Sequence, residues 1–166
     1  MLLKGKAFTF GNDINTDYII SGKYKFKTLD MNELAKHVME DLDPDFYNKI
    51  NDGDMIVAGS NFGCGSSREQ APLAIKHAKI SCVLASSFAR IFYRNSINTG
   101  LPVVECDTSK IDQGDELEVD LQKGIVFNKT KSLEIPVTPL PDVMIKILED
   151  GGLIHHFQKH GDFNFD

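Results

Sequence analysis

Two adjacent serines and an arginine end a glycine-rich run, G-S-N-F-G-C-G-S-S-R-E-Q, at residues 59–70. Glycine has no Cβ atom, so such a run lets the backbone approach a ligand closely. It follows an apolar, strand-like segment and precedes a helical pattern, and the start of a helix favours a bound anion. The forked guanidinium of Arg68 suits a carboxylate or a phosphate. We therefore predict that Ser66, Ser67 and Arg68 hold a small anion beside a serine hydroxyl.

Better-known motifs do not fit this run. The dinucleotide fingerprint G-x-G-x-x-G fails because Arg68 stands where its last glycine belongs, and the phosphate loop lacks its lysine. The hydrolase elbow G-x-S-x-G is absent around either serine. A serine hydrolase would also need a histidine within reach of Ser66. An ordinary glycine-rich turn capped by Ser67 remains an alternative.

The start of the following helix can be placed in two ways. Ser67-x-x-Gln70 matches a capping box, which puts the first turn at Arg68. Pro72 would then lie inside the helix, where its ring disfavours the preceding turn. The helix therefore begins nearer Gln70, or its first turn is distorted. Both alternatives put the serines at the N-terminal end of the helix.

Composition restricts the class of protein. The chain has 166 residues, with 18 Lys+Arg against 24 Asp+Glu and no basic block, which disfavours nucleic acid and anionic membranes as partners. The N-terminus lacks the long apolar region of a signal peptide. The three cysteines form no C-x-x-C pair, which fits a reduced, cytoplasmic setting. We expect a single domain over residues 1–166.

The pattern of apolar residues predicts an α/β fold. Strands are expected at 4–10, 55–58, 80–85 and 102–105, with short strands between 111 and 136; helices are expected at 71–78, 86–98 and 141–150. A further amphipathic helix is expected from Met31, Leu34, Ala35, Val38, Met39 and Leu42. The order indicates a mixed central sheet flanked by helices, with an antiparallel section near the C-terminus.

Three segments together resemble a known family. They are F-G-N-D-I-N-T-D-Y-I-I at 10–20, D-G-D-M-I-V-A-G-S-N-F-G-C-G-S-S-R-E-Q at 52–70 and A-S-S-F-A-R-I-F-Y-R-N-S-I-N-T-G-L-P at 85–102. In this order and spacing they resemble the swivelling domain of the aconitase superfamily, in particular the small subunits of 3-isopropylmalate dehydratase and homoaconitase. The resemblance extends over nearly the whole chain and implies a swivelling β/β/α domain.

The resemblance also implies a reaction. A hydro-lyase of this kind interconverts 2- and 3-isopropylmalate by removing and re-adding water, in leucine biosynthesis. It implies that Ser66 is the catalytic base and that Ser67 and Arg68 bind a substrate carboxylate. In the relatives the hydroxyl leaves through a [4Fe–4S] cluster. The scattered cysteines here offer no cluster pattern, so we expect a large-subunit partner to hold the cluster and this chain to be inactive alone.

The segment after D-Y-I-I is expected to select the substrate. Tyr24 and Phe26 suit an isopropyl group, whereas Lys25 and Lys27 suit a further carboxylate. Ser21 replaces the proline usual in the family. Homoaconitase, 2,3-dimethylmalate dehydratase and a non-catalytic carboxylate-binding module therefore remain alternatives.

Four further groups of residues are interpreted as structural. Cys64 is expected to pack within its loop, and Arg90 and Arg94 share a helix face that favours a scaffold or subunit-contact role. Asp13 and Asp17 fit turns and caps rather than a calcium loop. The sequence shows no third ligand type beside His155, His156 and His160, so a solvated C-terminal helix is favoured over a metal site.

Overall fold

The computed structural model describes residues 1–25 and 30–161, with only the backbone of Lys25. The strands are β1 Leu2–Thr9, β2 Met55–Ala58, β3 Cys82–Ala85, β4 Val103–Glu105, β5 Glu116–Asp120, β6 Ile125–Asn128 and β7 Leu133–Pro136. The helices are α1 Thr16–Ile19, α2 Gly22–Lys25, α3 Met31–Ala35, α4 Phe46–Lys49, α5 Gln70–His77, α6 Arg90–Thr99, α7 Asp142–Glu149 and α8 Leu153–His160, with a 3₁₀ turn at Thr108–Lys110. Within these residues, no helix has the length and apolarity needed to cross a membrane.

The strands form one mixed sheet. Its order is β4-β3-β2-β1-β5-β6-β7. The strands from β4 to β1 are parallel, and those from β1 to β7 are antiparallel. β1 joins the two halves, because Ala7 pairs with Met55 on one side and Leu2 pairs with Asp120 on the other. The mixed sheet with flanking helices confirms the predicted α/β class.

The parallel half of the sheet brings the sequence motifs together. β2 and β3 are buried along their whole length, as expected of parallel strands covered on both faces. β1, β2 and β3 run in the same direction, so their carboxyl ends share one edge. The loops after these three strands carry the three motif segments. Ligands of open α/β sheets bind in the crevice outside such carboxyl ends.

The predicted helix from Met31 to Leu42 is shorter than expected. It ends at Ala35 and continues as turns. Met39 has a positive φ of 57° and donates its N–H to the carbonyl of Ile19 at 2.9 Å. A helix cannot continue through that conformation. The apolar spacing correctly marks four of its six residues as buried, whereas Met31 is only partly buried and Leu42 is 40% exposed. The conformation of Met39 explains why the helix does not extend to Leu42.

The structure also decides between the two starts of the motif helix. α5 begins at Gln70, and Glu69 precedes it without a side-chain cap. Pro72 lies in the first turn, where backbone N–H groups have no partner inside the helix and proline is tolerated. Ser67 therefore does not cap this helix, and its hydroxyl is not committed to that role.

Lys76 joins the ends of two helices. Its Nζ donates to the carbonyls of Thr99 at 2.9 Å and Gly151 at 3.0 Å. Burial lowers the pKa of this ammonium, so desolvation offsets part of the gain. Hydrogen bonds to charged groups contribute about 1.5–3 kcal/mol each. We expect Lys76→Met to lower the free energy of unfolding by about 1–2 kcal/mol in urea denaturation.

The matched control for this prediction is Lys123→Met. Lys123 is exposed, and its replacement should change the free energy of unfolding by less than about 0.5 kcal/mol. Equal stabilities of the two variants would contradict the role given to Lys76.

Candidate active site

The glycine-rich loop lies against the first motif segment. Gly63 donates its N–H to the carbonyl of Ile14 at 2.7 Å, and Thr16 donates its N–H to the carbonyl of Cys64 at 2.9 Å. The Thr16 hydroxyl donates to the carbonyl of Ser66 at 2.9 Å. These bonds attach both ends of the loop to the segment after β1 and fix the backbone at Ser66.

The third motif segment holds the other side of the loop. Phe62 donates its N–H to the carbonyl of Ser87 at 3.1 Å, and Ala89 donates its N–H to the carbonyl of Phe62 at 2.9 Å. The connection between β3 and α6 therefore pairs with the loop, through a bridge between Phe62 and Phe88. For this reason α6 begins later than predicted, at Arg90. The three segments therefore meet at one place.

Glycine is required at Gly63 for two reasons. Its φ is 82°, in the left-handed region, which side chains rarely adopt. A Cβ atom at this position would also overlap the ring of Phe92. The loop consequently packs directly on α6, and this close approach closes one wall of a cleft.

The cleft has a volume of about 220 Å³ and contains the residues predicted to do chemistry. Its polar lining comes from Thr16, Ser66, Ser67, Arg68, Arg90 and Asn95. Ser66 and Ser67 are exposed, whereas only 19% of the Arg68 side chain is. A cleft of this size suits a small organic acid rather than a drug-sized ligand.

The guanidinium of Arg68 contacts an acidic side chain. Its Nη1 contacts the Asp17 carboxylate, although the pair lacks hydrogen-bond geometry and no other described acceptor bonds this atom. Gly22 lies beside the guanidinium, because a Cβ there would stand 3.5 Å from Nη1. Asp17 does not cap α1; that role belongs to Asn15, whose Oδ1 accepts from the N–H of Tyr18 at 3.0 Å. The guanidinium is therefore oriented and keeps donors for an anion.

Comparison with known proteins agrees with this architecture. Residues 14–108, which include the cleft, match the Aconitase C-terminal domain family. The chain is 62% identical to the 3-isopropylmalate dehydratase small subunit 2 of Archaeoglobus fulgidus, with 98% of each chain covered. The chain belongs to the family of 3-isopropylmalate dehydratase small subunits.

Two other relatives support the same assignment. The chain is 55% identical to the 3-isopropylmalate dehydratase small subunit of Methanosarcina mazei, over 95% of this chain and 97% of the relative. The crystal structure of 3-isopropylmalate dehydratase (LeuD) from Methanocaldococcus jannaschii matches with a TM-score of 0.92 and 46% identity, covering 97% of this chain and 96% of that chain. The resemblance noted from the motifs is thus confirmed.

The structure describes only part of the segment that is expected to select the substrate. Phe26, Lys27 and the side chain of Lys25 lie outside the described residues. Tyr24 is not among the residues that line the cleft. Its ring stacks on His37 with centroids 3.9 Å apart, and the Nζ of Lys23 lies 4.9 Å from its centroid. Gly22 beside Arg68 nevertheless brings this segment next to the cleft.

Two further polar residues line the cleft: Arg90, for which the sequence favoured a scaffold or subunit-contact role, and Asn95, which was not considered. Arg90 and Asn95, near the start and middle of α6, both line the cleft, whereas Arg94 does not. The signal was available, since α6 follows β3 at the edge where the motif loop follows β2. Arg90 also lines a larger cleft of about 440 Å³. This larger cleft contains none of the motif serines.

Proposed function

We propose that this chain is the small subunit of a 3-isopropylmalate dehydratase. In this role it is a hydro-lyase subunit that interconverts 2- and 3-isopropylmalate together with a large subunit. The observation that carries the proposal is the cleft in which Ser66, Ser67 and Arg68 converge at the carboxyl edge of the parallel strands. The family assignment supports the same reaction.

Substrate binding follows from the charge of the cleft. A carboxylate of isopropylmalate would bind the donors of Arg68 that Asp17 leaves available. The Ser67 hydroxyl, which also lines the cleft, would supply a further donor. Because Arg68 is mostly buried, its attraction for a carboxylate is screened less than that of a surface arginine. The cleft thereby fixes the carbon skeleton relative to Ser66.

Proton transfer is assigned to Ser66. Its oxygen would take a proton from the substrate carbon; the electron pair of the broken C–H bond forms the C=C bond as the neighbouring C–O bond breaks. The oxygen leaves with the electron pair of the C–O bond as hydroxide, and this hydroxide and the proton taken from carbon together make up the water that is released. Ser66 must give up that proton before the next turnover, and the reverse steps add water at the other carbon. A serine hydroxyl is a weak base at neutral pH and must be activated by its surroundings. The guanidinium of Arg68 and the positive end of the α5 dipole supply that activation.

A serine hydrolase is disfavoured by the same geometry. Among the residues described, those that line the cleft include no histidine. Acyl transfer by Ser66 would therefore have no general base of the usual kind.

The cysteines of this chain do not fit an iron–sulfur cluster. Cys82 and Cys106 are buried, and Cys64, which is half-buried, lies in the motif loop. Burial raises the pKa of Cys82, and it raises that of Cys106 to about 12. Cluster ligation requires several thiolates close together. We therefore place the [4Fe–4S] cluster on the large-subunit partner and give this chain carboxylate binding and proton transfer.

The partner is expected to cover the open side of the cleft. Ile91 lines the cleft and is 54% exposed, and Tyr18, next to Asp17, is 42% exposed. Single exposed apolar residues are normal on a protein surface, so the interface is proposed from the family assignment, and these two residues are its candidate contacts. We propose a cytoplasmic complex in which the chain acts as one swivel domain over residues 1–166.

A substrate panel tests this function. The chain is co-expressed with its candidate large subunit, iron and sulfide are reconstituted anaerobically, and isopropylmalate, homoaconitate and 2,3-dimethylmalate are compared. We expect the highest kcat/KM with isopropylmalate. A preference for homoaconitate would indicate a homoaconitase in which the lysines of the 21–29 segment bind the extra carboxylate. A preference for 2,3-dimethylmalate would indicate a 2,3-dimethylmalate dehydratase. No turnover by a cluster-loaded complex would favour a carboxylate-binding module.

A further inference from the structure

A second cluster of potential ligands lies where α7 ends and α8 begins. Nδ1 of His156 is 2.7 Å from Oδ2 of Asp150, and Nε2 of His160 is 3.1 Å from the same oxygen. All three ligand atoms lie within 4.8 Å of one another. The sequence predicted a solvated helix here, which is wrong for His156, because its side chain is fully buried.

We propose that Asp150, His156 and His160 form a binding site for a divalent transition-metal ion, with Zn²⁺ as the best match. Two imidazole nitrogens and one carboxylate oxygen are a ligand set that Zn²⁺ accepts, with water at the remaining position. The same set is unsuited to Mg²⁺ or Ca²⁺, which prefer oxygen ligands. The site is independent of the proposed dehydratase cleft.

The backbone prepares this arrangement. Gly151 and Gly152 have φ values of 88° and 126° and turn the chain sharply, so that α8 returns over the end of α7. Gly152 donates its N–H to the carbonyl of Ile147 and accepts from the N–H of His156, both at 2.9 Å. His156 and His160 are four residues apart and therefore share one face of α8. The third ligand, which no local sequence pattern reveals, comes from the end of the preceding helix.

The burial of the three ligands is graded. The side chain of His156 is 0% exposed and that of Asp150 is 8%, whereas His160 is 29% exposed. Two ligands are thus held by packing, and the third borders solvent and leaves a path for the ion. Zn–N and Zn–O bonds of about 2.0–2.2 Å place tetrahedral ligand atoms roughly 3.3 Å apart. The separations of 2.7 and 3.1 Å from Oδ2 of Asp150 are close to that value, and all three ligand atoms lie within 4.8 Å of one another.

Lys159 provides a way to distinguish metal binding from a simple hydrogen-bond network. Its Nζ lies 3.1 Å from Oδ1 of Asp150. If the cluster only joined the two helices, Lys159 would be a helpful partner. If it binds a cation, the ammonium opposes that cation.

The test uses the full chain without a polyhistidine tag and with its metals removed by chelation. Zn²⁺ is titrated calorimetrically, and Co²⁺ binding is followed by its visible absorption at a pH where histidine is neutral. We expect one ion per chain and a higher thermal midpoint with Zn²⁺. His160→Gln should weaken the affinity by about tenfold or more. Since His160 is the most exposed ligand, this variant is chosen over His156→Gln, which could unfold the chain.

The matched control is His155→Gln, an exposed histidine on the same helix outside the cluster. It should leave the affinity unchanged, and Lys159→Met should increase it. Binding that is absent in the wild type, or equally strong in His160→Gln, would overturn the proposal. A lower or unchanged affinity in Lys159→Met would also count against it. None of these measurements depends on dehydratase activity. A failure of the metal-site proposal can therefore be distinguished from a failure of the proposed function.

Discussion

Ser66→Ala is expected to reduce kcat of the reconstituted two-chain enzyme by roughly 10²–10⁴-fold, the usual contribution of a general base. The variant removes the only atom of Ser66 that can accept a proton, while the Thr16 bond to the Ser66 carbonyl does not involve the lost hydroxyl. KM should change little, because carboxylate binding is assigned to Ser67 and Arg68. The measurement is steady-state turnover of isopropylmalate at equal cluster content.

Ser86→Ala is the matched control for the base. Ser86 is exposed at the same edge of the sheet but does not line the cleft. It should retain turnover within about twofold, since surface substitutions have small effects. Ser66→Ala with wild-type kcat would reject Ser66 as the base. A loss in both variants would indicate damage to the loop or to complex formation, which binding to the large subunit would reveal.

Arg68→Met is expected to lower kcat/KM by roughly 10²–10³-fold, mainly through a higher KM. A forked arginine–carboxylate pair makes two charge-assisted hydrogen bonds, and hydrogen bonds to charged groups contribute about 1.5–3 kcal/mol each. Here the substrate carboxylate would lose its forked donor, and the Asp17 carboxylate would lose the guanidinium that it contacts. Arg68→Lys should fall between the wild type and Arg68→Met, because lysine keeps the charge but not the fork.

Arg94→Met controls for the loss of a positive charge near the site. Arg94 is exposed and, unlike Arg90 in the same helix, does not line the cleft. At saturating large subunit its kcat/KM should be close to that of the wild type. An unchanged KM in Arg68→Met would contradict the assignment of the substrate carboxylate to Arg68.

Local patterns predicted the parts of this site that are close together in sequence. Ser66, Ser67 and Arg68 are consecutive, so the chemistry of the loop could be inferred without knowing the fold. The apolar strands before each motif also predicted loops that emerge from a mixed sheet, and the structure shows that β1, β2 and β3 are parallel. Their meeting at one edge then follows from strand direction.

Long-range contacts determined the features that the sequence did not predict. The pairing of Asp17 with Arg68 joins distant segments, and Asp17 alone reads as a turn residue. Met39, four residues after the helix end at Ala35, has a positive φ and bonds to Ile19, which prevents a helix from extending to Leu42. His156 lies on the buried face of a helix whose sequence is mostly polar. A turn at two glycines brings Asp150 against it. Each case depends on which elements pack together, and no local periodicity encodes that.

The most direct test of the central claim is a titration of a fixed amount of cluster-loaded large subunit with this chain. Turnover of isopropylmalate is followed by the near-ultraviolet absorption of the unsaturated intermediate acid. We predict no turnover by either chain alone and a saturable rise as the small subunit is added. Full activity of the large subunit alone, or a mixture of the two intact chains that remains inactive, would contradict the account.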